Sequence, residues 1–347
     1  MRNFSRWLSL NNGILFPEVF YYMKKIIRLD GKFLLLLLGI ALTFLFSKCD
    51  KIYGWGREDV GTSGAAFLKI GVGARPASMG DAFIASGDDI NSVFHNPAGL
   101  TDSKDFEFTA QYGAYFQSIN HNALAVSKKL GSAGFLSIGV VNLSVDKIER
   151  RSSDTALPDE FFAAGDYAYM AGFARGITPR ITLGANLKYI SLRIDDKTAG
   201  APAADVGIKW KPVIKGKEIF VGAAVSNIGT EIKFNQTADP LPLTAAIGVA
   251  ARFLGDDLLV AADVVSPRDN NVSFNTGVEY SRPVKSDIKV SARAGYKSGL
   301  SSDEKLGGLA GLSGGAGISY RQFIFDFAWI PYGLLGDTFK YALSVRF

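Results

Sequence analysis

From Phe106 to the carboxyl end of the chain, apolar and polar residues alternate with a period of two. The last segment shows the pattern most clearly, since its apolar positions are Phe339, Tyr341, Leu343, Val345 and Phe347. A period of two directs successive side chains to opposite faces of a β-strand. Each such segment is therefore predicted to be a strand with one apolar face and one polar face.

Fourteen segments of this kind are predicted after residue 104. Their ranges are 106–116, 121–130, 133–145, 165–176, 181–194, 204–212, 218–226, 242–253, 258–265, 272–281, 287–297, 312–320, 323–330 and 338–347. Most are longer than the roughly five or six residues of strands in soluble proteins. They match the roughly 9–11 residues that a tilted strand needs to cross a bilayer. The pattern predicts an all-β fold, a closed transmembrane antiparallel β-barrel of about 14 strands over residues 105–347.

The predicted connections support a barrel, because short turns alternate with longer loops such as 146–164, 195–203 and 227–241. This alternation is typical of outer-membrane barrels, in which closure of the sheet leaves no backbone group unpaired in hydrocarbon. The polar face is predicted to point into the barrel. It carries Glu107, Lys188, Asp205, Lys209, Arg293 and Arg346.

Glycines are also frequent on the predicted inward face. They include Gly184, Gly222, Gly248, Gly277 and Gly295. Two interpretations remain open: the glycines leave room in the lumen, or they relieve crowding in a strongly curved sheet.

The first 56 residues have the pattern of an export leader. A 15-residue apolar run at 33–47 follows Met23 and a basic stretch, and small residues at Gly54 and Gly56 suit a cleavage site. We therefore expect translation to start at Met23 and residues 23–56 to be a signal peptide. A start at Met1, an uncleaved anchor and a lipoprotein modified at Cys49 are the alternatives.

Composition and charge narrow the functional classes. An apolar content of 48% is too high for a disordered chain, and a mean hydropathy of +0.14 argues against a bundle of membrane-spanning helices. Residues 1–56 contain eight basic and three acidic side chains, and this surplus of five equals the net charge of the whole chain. The remaining residues are therefore neutral overall, so no nucleic-acid partner is expected.

Residues 57–104 do not alternate and are rich in small residues, with a short helix predicted around 79–85. Several motifs here resemble the N-terminal signature of the PorV/PorQ family. They are Gly73-Ala74-Arg75, Met79-Gly80-Asp81-Ala82-Phe83, Asp88-Asp89 and Asn96-Pro97-Ala98-Gly99-Leu100. Weaker likenesses are Ala204-Asp205-Val206-Gly207 and Ser226-Asn227-Ile228-Gly229.

That family is similar to barrels of the FadL type, the long-chain fatty-acid transporters. The resemblance implies that residues 57–104 form an N-terminal hatch inside a fourteen-stranded barrel. It implies hatch or gate roles for Arg75, Asp88, Asp89, Asn96, Pro97 and Ala98. Arg75 is expected to pair with Asp88 or Asp89. The terminal Phe347 resembles the signal that barrel-assembly machinery recognises.

The main functional hypothesis is a gated channel for hydrophobic small molecules in the bacterial outer membrane, with lipid around it, no cofactor and no enzymatic activity. The chain is short for a fatty-acid transporter, so its outer capture loops are expected to be reduced. One alternative is a component of a type IX-like secretion system that binds secreted protein cargo through 146–164 and 227–241. A remote alternative is an outer-membrane lipid hydrolase that uses Ser118 and His121.

Overall fold

The computed structural model describes residues 60–214, 217–234, 237–301 and 309–347. The predicted leader, including Met23 and Cys49, lies outside the described residues, as does the start of the predicted hatch at 57–59. Within the described ranges, no helix combines the length and the apolar character needed to cross a membrane.

The described residues form a closed antiparallel sheet of fourteen long strands, which confirms the predicted fold class. The strands are β1 (Phe106–Ala114), β2 (Ile119–Lys129), β3 (Phe135–Arg150), β4 (Glu160–Thr178), β5 (Ile181–Ile194), β6 (Lys197–Trp210), β7 (Lys217–Gly229), β8 (Thr244–Phe253), β9 (Leu258–Pro267), β10 (Ser273–Lys285), β11 (Ile288–Lys297), β12 (Leu312–Tyr320), β13 (Phe323–Pro331) and β14 (Asp337–Arg346). Each strand pairs with the next, and β14 pairs with β1 through a register that places Gln111 opposite Ala342. The sheet therefore has no free first or last strand.

Burial alternates along the strands as the sequence predicts. On β5, Leu187 and Tyr189 point outward and are exposed, whereas Asn186 and Lys188 point inward and are buried. The predicted inward charges Glu107, Lys188, Asp205, Lys209 and Arg293 are all buried. Arg346 pairs with Glu107, with 3.4 Å between Nε and Oε1, and so lies on the same inner face.

The prediction of a long loop at 146–164 is wrong, because the β3–β4 ladder continues well past Val145. Ile148 lies opposite Phe162 and Arg150 lies opposite Glu160. A β-bulge interrupts the register after Val145, where Lys147 has a φ of 57°. This bulge breaks the period of two, and the sequence pattern ended there for that reason.

The prediction of a loop at 195–203 is also wrong, because β6 begins at Lys197 after a two-residue turn. The alternation of apolar and polar residues is absent from this part of the strand. Ala199, Ala201 and Ala203 point inward, whereas Pro202 points outward. Pro202 is tolerated because its missing N–H belongs to a stretch of β6 that has no β7 partner in the described register.

The connection between β7 and β8 packs two apolar side chains against the interior of the barrel. Its short strands Ile232–Lys233 and Ala238–Asp239 pair with each other, and Ile232 and Leu241 are buried. Most described residues of the predicted cargo-binding region 227–241 are nevertheless exposed, and only Asn227, Ile232 and Leu241 are buried among them.

Three helices of four or five residues occur in the described ranges: α1 (Ala74–Ser78), α2 (Ser92–His95) and α3 (Ser298–Ser301). The helix predicted around 79–85 is wrong, and α1 lies just before it. Gly80 and Asp81 have φ values of 64° and 60°, which end the helix in a tight turn. Five short 3₁₀ turns accompany them, at Ala66–Lys69, Pro97–Asp102, Phe116–Ser118, Gly131–Ala133 and Gly333–Leu335.

Candidate functional site

Residues 60–104, here called the luminal segment, lie largely inside the barrel. Most side chains between 72 and 100 are buried, and Met79, Phe83, Ile90 and Leu100 are fully inaccessible. The segment contacts strands around much of the circumference, from β5 and β6 through β11 and β12 to β13 and β14. It occupies the position that the resemblance gives to a hatch.

Four inward glycines, here called the seat glycines, let the luminal segment approach the wall at backbone distance. They are Gly184 on β5, Gly222 on β7, Gly277 on β10 and Gly295 on β11. A Cβ atom at Gly184 would lie 2.4 Å from the Ala98 nitrogen, and one at Gly295 would lie 2.0 Å from the Gly80 nitrogen. These positions make room in the lumen, but the backbone of the luminal segment occupies that room.

Arg75, at the second position of α1, connects the luminal segment to the wall. Its guanidinium donates to both oxygens of Glu279 on β10, at 2.8 and 2.9 Å, and to Asp88 and Asp89 at 2.5 and 2.7 Å. The predicted pairing with an aspartate is confirmed and involves both aspartates. Burial alone would lower the pKa of Arg75, but the three carboxylates hold it well above its usual value.

The network around Arg75 continues along the wall. Arg293 on β11 donates to Glu279 at 2.6 Å and to Asp326 on β13 at 2.7 Å. Asp88 also pairs with Arg252 on β8 at 2.5 Å. Although its burial opposes ionisation, Arg75 and Arg252 lower the pKa of Asp88 well below its ordinary range. Asp88 is therefore an ionised partner of Arg75 and Arg252.

Asp89 brings the luminal segment to the junction of the first and last strands. Arg346 on β14 lies 3.1 Å from Asp89 and 3.4 Å from Glu107 on β1. Glu107 in turn accepts a hydrogen bond from the Ile90 backbone N–H at 2.8 Å. The β1–β14 seam is thus bridged from inside by two consecutive residues of the luminal segment.

Asn96, Pro97 and Ala98 lie against β5 and β6. The Asn96 side-chain amide donates to the backbone oxygens of Ile84 and Ile208 at 2.8 and 3.1 Å, and its oxygen accepts from the Ala98 N–H. Asn96 and Ala98 are completely or almost completely buried. These contacts hold the 3₁₀ turn that follows against the wall; the constriction role predicted for the three residues stays a prediction.

An apolar surface lines the interior along β3 to β6. Its wall residues are Val141 and Leu143 on β3, Met170 on β4, Ile190 and Leu192 on β5, and the alanines of β6. From the luminal segment, Phe67, Leu68, Ile70, Val72 and Phe94 pack against it. We call this set the apolar chamber wall. The sequence pattern did not reveal this surface, because the polar face of each strand was predicted to point inward.

A second cluster of polar side chains lies near the end of the barrel that carries the longer loops, since Lys297 is the last residue of β11. Asp81 pairs with Lys297 on β11 at 2.8 Å, and the His95 Nε2 lies 2.8 Å from the Val72 backbone oxygen. Burial lowers the pKa of His95 despite the nearby Asp81, so the ring is neutral near pH 7 and donates from Nε2. The pKa of Asp81 is lowered well below its usual range by Lys297 and Lys340, although burial alone would raise it.

The sequence analysis predicted Glu107, Lys209 and Arg346 as inward charges, but several other inward charges of this network were not singled out from the sequence. Glu279, Asp326, Lys297 and Lys340 occupy inward positions of the period-two pattern, and that pattern was the available signal. The two weaker family likenesses do meet in space: Asp205 accepts a hydrogen bond from the Asn227 N–H at 2.9 Å, and Lys188 pairs with Asp205 at 2.6 Å.

The residues of the hydrolase alternative are poorly placed for catalysis. Ser118 is exposed in its turn, whereas His121 is 4% exposed and packs edge-on against Tyr115. No partner of His121 Nε2 occurs among the described residues. Across all the residues that the structure describes, no group of three or more His, Cys, Asp or Glu is arranged to hold a metal ion.

Phe347 extends the seam by one residue. Its N–H donates to the Phe106 oxygen at 2.9 Å and its oxygen accepts from the Phe106 N–H at 3.2 Å. The two rings lie 6.0 Å apart, and the Phe347 side chain is exposed on the outer surface. The assembly-signal role of Phe347 stays a prediction.

The sequence matches no protein-family model and no curated protein. The structure is similar to the toluene transporter TbuX of Ralstonia pickettii, with 13% identity, a TM-score of 0.52, and coverage of 80% of this chain and 98% of that chain. It is also similar to the CymD monoaromatic hydrocarbon channel (12% identity, TM-score 0.52, 79% and 96%) and to a deletion mutant of the TodX monoaromatic hydrocarbon channel (12%, 0.52, 80% and 99%). These three are channels or transporters, not enzymes. At such identities the similarity establishes the barrel fold.

Proposed function

We propose that this barrel is an outer-membrane channel for hydrophobic small molecules, with the luminal segment as its gate. The observation that carries the proposal is the apolar chamber wall, a continuous apolar lining along β3 to β6 inside a barrel that elsewhere buries charges such as Glu107 and Arg293. An apolar lining inside a barrel favours solutes that leave water easily, because it offers them contact without requiring desolvation of a charge. The likeness to hydrocarbon channels supports the same class of solute.

The outer surface supports the proposed location in a bacterial outer membrane. Large apolar side chains are exposed on strands all around the barrel, including Leu136, Ile138, Leu187, Ile247, Phe325 and Leu343. Such a belt is unfavourable in water and favourable in lipid. Insertion would be expected to need outer-membrane lipid and the barrel-assembly machinery.

The gate role rests on the packing of the luminal segment. The seat glycines and the Arg75 network hold residues 74–100 against the wall, and the sequence-predicted gate residues Arg75, Asp88, Asp89, Asn96, Pro97 and Ala98 all lie in this part. Flux through the channel would require the segment to move or its loops to part. Deleting 57–104 is therefore expected to raise conductance of the reconstituted barrel, and unchanged conductance would contradict the gate role.

The secretion alternative receives less support. The β3–β4 ladder takes up about half of one proposed cargo loop, 146–164, whereas the described part of the other, 227–241, is mostly exposed. The solved structures to which this barrel is similar are named as hydrocarbon channels or transporters. A lipid hydrolase is disfavoured by the placement of Ser118 and His121.

Uptake of labelled toluene by cells that produce the full chain tests the proposal. We expect faster uptake than in cells carrying an empty vector. Leu143→Asn, which places an amide on the apolar chamber wall, should reduce uptake severalfold, whereas Leu136→Asn on the outer face of the same strand should not. Heat-modifiable migration on a gel confirms that each variant folds. Equal uptake with and without the chain would reject the channel function.

A further inference from the structure

Lys340 on β14 carries a charge inside the barrel without a carboxylate partner among the described residues. Its ammonium donates to the Gly71 backbone oxygen, the residue is 5% exposed, and it forms no salt bridge with any described residue. Burying an unpaired charge is costly, so buried lysines are usually matched by an anion.

The surrounding charges do not cancel that of Lys340. Asp81 is engaged by Lys297 at 2.8 Å, and His95 is neutral because its pKa is lowered by burial. Further away, Lys69 pairs with Asp269 at 2.5 Å. Two lysines thus share one aspartate, which leaves a surplus of one positive charge.

Several buried polar atoms around Lys340 also have no hydrogen-bond partner among the described residues. They include His121 Nε2 and Thr338 Oγ1, on side chains that are 4% and 0% exposed, and one carboxylate oxygen of Asp81. Thr338 precedes Lys340 by two positions and shares its inward face, and His121 flanks it across Gly113. Such orphaned groups indicate a polar occupant, since buried polar atoms are nearly always hydrogen-bonded.

Aromatic rings enclose this place. The Lys340 Nζ lies 5.6 Å from the centre of the Tyr115 ring. The Tyr115 ring in turn lies 6.0 Å from each of the His121 and Tyr332 rings, and the Phe116 ring lies 6.0 Å from that of Tyr332. Rings at these separations and tilts form an arrangement that another planar ring can join.

The place can be reached and adjoins the apolar chamber wall. Lys297 and Asp81 keep 25% and 17% of their side chains accessible. His121 lies directly opposite Leu143 of the apolar chamber wall on the neighbouring strand. A ligand with a charged end and an apolar body could therefore contact both surfaces.

We propose that Lys340, Lys297, His121, Thr338 and Tyr115 form a binding site for an aromatic monocarboxylate. The carboxylate takes the unmatched positive charge and the orphaned donors, and the ring packs among Tyr115, Phe116 and Tyr332. One surplus charge suits a monoanion better than a phosphate ester. This inference rests on the proposed function and assigns it a substrate class, which differs from the neutral hydrocarbons named for the similar structures.

Direct binding to the purified full chain in a neutral detergent tests the site with three probes of known structure. Benzoate carries the ring and the charge, toluene the ring alone, and acetate the charge alone. We expect benzoate to bind at least about tenfold more tightly than either, because toluene lacks the charge-assisted hydrogen bond and acetate lacks the ring that would be buried. Equal binding of benzoate and toluene, or of benzoate and acetate, would overturn the proposal.

Substitutions then test whether Lys340 forms part of the benzoate-binding site. Lys340→Met keeps the aliphatic stem and should weaken benzoate binding about tenfold or more while leaving toluene binding unchanged. Lys211→Met is the matched control, because Lys211 pairs with Asp102 near the short turns. The exposed fraction of its side chain, 23%, is similar to the 25% of Lys297. Benzoate affinity unaffected by Lys340→Met would refute the assignment. If Lys340→Met fails to fold, Lys297→Met is expected to weaken benzoate binding in the same way. The comparison of the three probes on the unaltered chain then decides whether the site exists.

Binding and uptake separate this inference from the proposed function. A chain that takes up toluene but does not prefer benzoate keeps the channel function and loses the site. A chain that binds benzoate at this site but transports neither compound keeps the site and loses the channel function.

Discussion

Arg75 and Glu279 form a bidentate pair inside the barrel, with Nε–Oε2 and Nη2–Oε1 distances of 2.8 and 2.9 Å. The two residues are 204 positions apart, and one belongs to the luminal segment while the other belongs to β10. The pair therefore joins the interior to the wall with both geometric and electrostatic specificity.

Glu279→Gln should loosen the luminal segment. It removes one charge from a buried network and leaves Arg75 and Arg293 short of a counter-charge, which typically costs about 3 kcal/mol. Hydrogen exchange over 74–91 should accelerate in lipid vesicles. Asp287→Asn provides a control, because its pair with Arg321 is exposed at 3.5 Å and should contribute little. Equal exchange in the two variants would show that the network does not hold the segment.

Gly295→Ala should displace the turn at Gly80. The new Cβ would lie 2.0 Å from the Gly80 nitrogen, so the backbone must shift, at a cost of roughly 1–3 kcal/mol. Channel conductance and protease cleavage within the luminal segment should both rise. Gly314→Ala on β12 is the matched control, since its nearest neighbours are 3.9 Å away. Unchanged conductance and unchanged protease resistance in Gly295→Ala would show that the seat glycines are not needed to accommodate the luminal segment.

Asn96→Asp should be nearly as disruptive as Asn96→Ala. The aspartate keeps the acceptor for the Ala98 N–H but places a carboxylate oxygen against the carbonyls of Ile84 and Ile208, which accept from the native amide. Loss of these buried hydrogen bonds should cost about 1–3 kcal/mol, measured as urea unfolding or as exchange over 97–102. The exposed Asn271 supplies the control Asn271→Asp. An Asn96→Asp variant with native protection would show that the amide does not anchor the turn.

His95 should make the stability of the folded state fall at mildly acidic pH. Its folded pKa is lowered from 6.5, so below about pH 6.5 the unfolded chain binds a proton that the folded chain does not. Stability contributed by the neutral ring is present above that pH and is lost as pH falls, by up to about 1 kcal/mol per pH unit. Urea unfolding in vesicles between pH 7.5 and 5 should show a smaller decline for His95→Gln. Parallel curves for the two proteins would contradict the prediction.

Phe347→Ala should impair assembly more than stability. The hydrogen bonds between Phe347 and Phe106 use backbone atoms and survive the substitution, and the lost side chain is exposed. We expect less folded, heat-modifiable barrel in cells but nearly native urea unfolding of barrel refolded in vitro. A large loss of stability in vitro with normal assembly in cells would reverse the assignment.

The period of two predicted the barrel because lipid and lumen impose opposite polarity on alternate residues of each strand. It failed where that rule is suspended, at the bulge beside Lys147 and along the alanines of β6, whose inward side packs against apolar residues. The pairing of Arg75 with Asp88 and Asp89 could be anticipated because the residues are close in sequence. The pairing of Arg75 with Glu279 could not be anticipated, because it depends on the register between strands, which the sequence pattern does not reveal.

The bridge from Asp89 and Ile90 to Arg346 and Glu107 has a consequence for how the molecule is made. Arg346 and Glu107 face each other only when the last strand reaches the first, and both contact the luminal segment at that point. Filling the barrel and sealing it are therefore coupled: a chain that closes around an empty interior leaves Arg346 and Glu107 without their internal partners. The luminal segment therefore assists closure of the barrel around itself, and the β1–β14 seam is most stable when this segment is already inside.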